Sequence, residues 1–143
     1  KSPTMIATYS FAIWGLWLIL VTIFIQATVA SRAHRKQKHY VAGIVDSQLS
    51  HESFVFRSHR TFLNSHENLL MMFGPALLGL FVGMDAFWLG ILVWVYALAR
   101  ILHMALYYVV ATEANPSPRS YFFIVGYVAN LTLLIMLGIH LGA

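Results

Sequence analysis

Apolar residues gather in four long blocks along this chain and do not alternate with polar ones. The first block, Met5 to Ala30, contains no Lys, Arg, Asp or Glu. The second runs from about Arg60 to Gly83, the third from about Ala86 to Ala111, and the fourth, again uncharged, from Ser120 to Leu141. A helix crosses the hydrocarbon core of a bilayer with about 20 mainly apolar residues. A half-buried strand would alternate instead, and an open strand in lipid would leave its backbone groups unsatisfied. The pattern predicts an all-α membrane protein, a single integral domain whose four transmembrane helices form an up-and-down bundle.

The links between the blocks set the topology. Residues 31–59 form a long polar link with Arg32, Arg35, Lys36, Lys38 and Arg57. Gly83-Met84-Asp85 reads as a tight turn, and Thr112 to Arg119 carries Asn-Pro-Ser-Pro, a helix stop followed by a turn. Lys and Arg concentrate in cytoplasmic loops, so the long link is expected in the cytoplasm. Both termini and Asp85 then lie opposite, and Arg119 returns to the cytoplasmic side, in agreement with four crossings. Gly74-Pro75 is expected to kink the second helix. Gly79 and Gly83, four apart, suit close contact with a neighbouring helix. A bacterial inner membrane and the endoplasmic reticulum both fit this pattern, with membrane lipids as the surroundings.

Composition narrows the choice of function. The chain has 143 residues, 59% hydrophobic and 10% charged, where a soluble domain carries roughly 25% charged residues. The net charge of +4 does not argue for nucleic acid, because the basic residues flank apolar spans. With no cysteine there is no disulfide, thiolate metal site or cysteine nucleophile. The first block is too long for a signal-peptide core and lacks a clear small-residue cleavage site. Seven histidines raise the alternative of a haem or metal protein, but nothing resembles clustered His-x-x-His-His boxes and no metal ligands are assigned. A channel would need a continuous polar path, whereas the polar residues keep to one half of the spans.

Charged groups inside spans are costly and usually face a bundle interior or a wet cavity. On the second helix Arg60, Asn64 and Glu67 are spaced four and then three apart, which stacks them on one face. Glu67 lies about 10 Å along the axis from Arg60 at roughly 1.5 Å per residue. They read either as an internal salt bridge or as a pocket for a zwitterion, Glu67 taking an ammonium group and Arg60 a carboxylate. On the third helix Arg100, His103 and Tyr107 also share a face. Arg100 stays protonated and needs an anion, for which Glu67 is the obvious intramembrane partner. Arg32 at the end of the first helix and Arg119 at the start of the fourth bring further cations to the same membrane face, unless they only reach for headgroups. Together these cations suit a small anionic substrate.

These residues resemble the MAPEG family, the membrane-associated proteins of eicosanoid and glutathione metabolism, which includes microsomal glutathione transferases and microsomal prostaglandin E synthase. The stretch Arg60-Thr61-Phe62-Leu63-Asn64-Ser65-His66-Glu67 looks like its Arg-x-x-x-Asn-x-x-Glu signature. Arg100-Ile101-Leu102-His103-Met104-Ala105-Leu106-Tyr107 is similar to its Arg-x-x-His-x-x-x-Tyr element. Ala30 to Arg35 resembles the basic end of the family's first helix, and Pro118-Arg119-Ser120 the start of its fourth.

The resemblance implies a homotrimer with glutathione as co-substrate, bound between subunits near the cytoplasmic face. Arg32, Arg60, Asn64, Glu67, Arg100, His103, Tyr107 and Tyr121 would hold glutathione. Arg119 and Ser120 would be catalytic, Arg119 stabilising the thiolate. The expected activity is a glutathione transferase, with peroxidase or prostaglandin-synthase-like isomerase variants, acting on a lipophilic small molecule drawn from the bilayer. Leu63 stands where the prostaglandin synthase has a second arginine, and Phe123 where it has a site tyrosine. A non-catalytic lipid-binding scaffold is the alternative within the family, although it would be expected to lose the Arg/Asn/Glu row. The chemistry is simple: a guanidinium beside a thiol favours the thiolate, as does a helix N-terminus.

Overall fold

In the computed structural model, which describes residues 4–115 and 117–143, all regular structure is helical. Among the described residues there is no strand, only an isolated bridge between Val41 and Ile44. The elements are α1 (Met5–Thr8), α2 (Ser10–Arg35), α3 (Phe54–Phe81), α4 (Ala86–Val109) and α5 (Pro118–Gly142). The single turn α1 runs almost directly into α2, since Tyr9 N bonds Met5 O and Ile13 N bonds Tyr9 O.

Three helices, α2, α4 and α5, are long and apolar enough to cross a membrane, which is compatible with an integral membrane protein. Their lengths of 26, 24 and 25 residues correspond to about 36–39 Å at 1.5 Å per residue. At 28 residues α3 is as long, but its first half carries Arg57, Arg60, Asn64 and Glu67, which lower its hydropathy. Outside the helices' packed faces, Phe24, Leu70 and Phe81 stand 73%, 77% and 83% exposed. A soluble surface does not collect large bare side chains in this number.

The helices outrun the apolar blocks. α2 continues through Ser31 to Arg35, and α3 begins at Phe54, so the long link is residues 36–53 rather than 31–59. Hydropathy marks where a helix could meet lipid, whereas the backbone remains helical as long as its own hydrogen bonds close. Arg32, His34 and Arg35 in the last turn of α2 also suit a helix C-terminus, where carbonyl dipoles favour cations. α4 stops at Val109, two residues short of the apolar block, and α5 starts with Pro118 in its first turn, where a missing N–H costs nothing. Pro116 of the expected Asn-Pro-Ser-Pro turn lies outside the described residues.

α4 is the central helix, packed against α2, α3 and α5. Leu16 and Ile19 of α2, Met72 and Ala76 of α3, Leu89 and Val93 of α4 and Leu133 of α5 meet in its core. Close approach of α2 to α4 depends on glycine. A Cβ at Gly15 would sit 2.7 Å from Val93 Cγ1, and Gly90 abuts the Phe11 ring with no room for one. Gly83 does something else than the helix contact its spacing suggests. It has φ +74° and open space around it. There it ends α3 in a Schellman turn, with Met84 N bonded to Gly79 O at 2.9 Å and Gly83 N to Leu80 O at 3.4 Å. The Asp85 side chain then caps α4 by accepting from Trp88 N at 3.0 Å. This hairpin returns the chain so that the polar half of α3 faces the polar half of α4.

Candidate functional site

The C-terminal ends of α2 and α4 and the N-terminal ends of α3 and α5 converge at the basic end of the molecule. Their polar side chains form a buried layer, an end cluster and an outward row.

Arg100 on α4 dominates the buried layer. It is 5% exposed, and its Nη2 donates to Asn64 Oδ1 at 2.6 Å and to Ser65 Oγ at 3.0 Å on α3. The Phe123 ring of α5 lies 5.9 Å from its guanidinium carbon, a cation–π contact. His103, one turn on, is buried edge-on to Tyr107 and tilted against Phe123. The expected ion pair of Arg100 with Glu67 is therefore absent. Asn64 and Ser65 are the α3 groups on the α4-facing side at this level, and Glu67 projects away from it.

The end cluster surrounds Arg119 in the first turn of α5. Its guanidinium carbon sits 4.2 Å from the centre of the Tyr107 ring. Nη1 donates to Thr112 O and Nη2 to His51 Nε2, both at 3.3 Å. His51, from the 36–53 link, stacks on Tyr107 with its Nε2 3.0 Å from Tyr107 Oη and its Nδ1 3.2 Å from Glu113 Oε1. Arg57 pins the link in place. It is buried and donates to His51 O at 2.7 Å, Glu52 O at 3.0 Å and Tyr108 O at 3.2 Å. Glu113 is exposed in the α4–α5 link, and its hydrogen bond from His51 holds its carboxyl below the ordinary value of 4.5. Ser120 Oγ lies 3.3 Å from Ser117 Oγ. A cation in a helix's first turn opposes the helix dipole. Arg119 and the free N–H groups of α5 thus sum to a positive potential that an anion would relieve.

The outward row is Arg60 and Glu67. Their side chains are 37% and 60% exposed, with Nη2 and Oε1 4.0 Å apart. That is the limit of an ion pair, and neither group has a closer charged partner among the described residues. Arg32 and Tyr121 are exposed and make no side-chain hydrogen bond or ion pair there. Apart from these groups, a cleft of about 250 Å³ opens between the last turn of α2 and the first of α3, lined by Ser31, His34, Arg35, Tyr40 and His59 among others.

The sequence model of one family, described as the MAPEG family, matches residues 11–139 of the 143. The chain belongs to the MAPEG family. No curated protein and no solved structure matched it. Membership places it among membrane-associated proteins of eicosanoid and glutathione metabolism. In this MAPEG chain Asn64, Arg100, His103, Tyr107 and Arg119 come together inside the single chain, while Arg32, Arg60, Glu67 and Tyr121 remain on its surface. His51, Arg57 and Glu113 were not among the site residues expected from the sequence. His51 and Arg57 stood in a link classed as polar, and Glu113 is 62 residues from its partner. Arg57 alone left a trace, lying three residues before Arg60 on what proves to be the same helix.

Proposed function

We propose that this protein is a membrane-bound glutathione-dependent enzyme, a transferase that activates the glutathione thiolate for attack on a lipophilic electrophile or hydroperoxide. The observation that carries this reading is the outward Arg60–Glu67 pair. Two opposite charges stand exposed about 4.0 Å apart, on a helix that the proposal takes as the fourth membrane crossing. Charges facing hydrocarbon are costly, so this face needs a cover. A neighbouring copy of the chain supplies it in the proposed homotrimer, and a peptide bearing an ammonium group and two carboxylates supplies the partners that Arg60 and Glu67 lack. Arg119, with Ser120 beside it at the α5 N-terminus, then faces the thiol and stabilises its anion. The second substrate enters from the bilayer along the apolar helix surfaces, and the site lies on the cytoplasmic side that the basic residues mark.

Thermal stabilisation by glutathione in detergent tests the pocket. Arg60→Ala and Glu67→Ala are each expected to abolish it while the trimer persists in crosslinking. Stabilisation as large as in the wild type would remove both residues from the site.

A further inference from the structure

The His51–Glu113 pair has a fixed polarity. Glu113 is ionised and can only accept, so His51 Nδ1 must donate to it across their 3.2 Å contact. The neutral ring then carries its lone pair on Nε2. Two other groups agree with that tautomer, since Tyr107 Oη at 3.0 Å and Arg119 Nη2 at 3.3 Å can both donate to Nε2. The basic nitrogen of His51 is thus aimed at the guanidinium that the proposed function assigns to the thiolate. Its other neighbours are fixed as well. Arg57 of α3 holds the His51 carbonyl, Tyr107 of α4 stacks on the ring, and Arg119 of α5 and Glu113 of the α4–α5 link bracket its two nitrogens.

We propose that His51 is the general base that takes the thiol proton of glutathione, with Glu113 as its positioning residue. This rests on the glutathione reading above and deepens it. A sulfur lying between Arg119 and His51 would displace the contact between them. The S–H bond breaks, an N–H bond forms at Nε2, and the electron pair remains on sulfur as a thiolate beside Arg119. The imidazolium keeps its Nδ1–H bond to the Glu113 carboxylate, which stays ionised throughout. After attack on the electrophile the imidazolium returns its proton to the adduct or to water. Arg119 alone would disfavour an imidazolium 3.3 Å away. The thiolate formed between the two cations and the carboxylate behind the ring offset that repulsion.

The test uses the full chain in detergent, with glutathione and with S-methylglutathione, which has no thiol proton to lose. Bound thiolate is followed by its ultraviolet absorbance, and conjugation of an activated aryl halide is followed across pH. His51→Gln is expected to lower turnover by about 10²-fold, in the range of general-base contributions, and to remove the acidic limb of the rate profile. S-methylglutathione affinity should remain unchanged. Glu113→Gln keeps an acceptor for Nδ1 but loses the charge, so the imidazolium is less favoured and the acidic limb should move to lower pH. Because Glu113 is exposed, that variant folds even if His51→Gln does not. If both ligands bind and His51→Gln keeps the wild-type turnover, acidic limb and thiolate absorbance, His51 is not the base; if Glu113→Gln leaves the limb in place, Glu113 does not position it. If the wild type binds neither ligand, the glutathione reading falls and this proposal with it.

Discussion

Arg100 and Glu67 illustrate two ways of placing charge at one level of a helical protein. Arg100 is sunk between α3, α4 and α5 and has two acceptors on α3. Glu67, less than one turn beyond Asn64 and Ser65 on the same helix, turns outward and finds only Arg60 at 4.0 Å. A buried guanidinium must carry its hydrogen-bond partners with it, because nothing else will solvate it. An outward pair can instead wait for a partner from another molecule. The inner group therefore ties the fold together, and the outer pair is available for binding. The divide runs through Asn64, which shares a sequence row with Arg60 and Glu67 but bonds to Arg100.

The largest effect expected from this contrast is on stability. Arg100→Ala leaves Asn64 and Ser65 without their donor and opens a cavity against Phe123. Each buried acceptor left without its donor costs about 1–3 kcal/mol, the cavity adds to that, and denaturant unfolding in mixed micelles would read the sum. A loss below about 1 kcal/mol would place Arg100 in a wet, tolerant setting. Next comes Asn64→Ala, which strands the Arg100 guanidinium with Ser65 alone. Its cost is about 1–3 kcal/mol, as for a buried group left short of a partner, and glutathione stabilisation should fall as well. A variant that loses ligand response with full stability would move Asn64 to the outward group. Glu67→Ala, in contrast, should change stability by no more than about 0.5 kcal/mol, since an exposed pair contributes little. Unfolding of that variant at markedly lower denaturant would mean that the pair holds the chain's own fold together.

The same divide explains what could be read from the chain. The apolar blocks revealed the helices because lipid-facing residues must be apolar regardless of sequence order, and three of them pass the length and hydropathy needed for crossing. Spacing correctly placed His103 and Tyr107 on the buried face of α4. It misplaced Glu67 as the partner of Arg100, because the row on α3 still spans about 60° of helix surface at roughly 3.6 residues per turn and its members can face different neighbours. Helix ends were harder to read, since α2 and α3 extend through charged residues that no hydropathy window includes. His51 and Glu113 were hidden for another reason. Their contact depends on how two links fold over the ends of α4 and α5, and neither link has a periodicity to follow.

The smallest expected effect concerns that contact. His51 bonding holds the Glu113 carboxyl below its ordinary value of 4.5. A lowered carboxyl value means that the folded state favours the ionised form. The contribution is therefore present at pH above 4.5 and lost as pH falls through the lower folded value. Glu113 is fully exposed, so global unfolding should barely register the change. The local signal should be clear. The His51 ring resonances in an NMR titration should show a step below pH 4.5 in the wild type and none there in Glu113→Ala. An identical titration in both proteins would mean that the carboxylate does not hold the ring, and His51 would then owe its position to Tyr107 and to the Arg57 clamp on its carbonyl. That outcome would leave the buried layer untouched, because Arg100 draws on α3 alone for its hydrogen bonds.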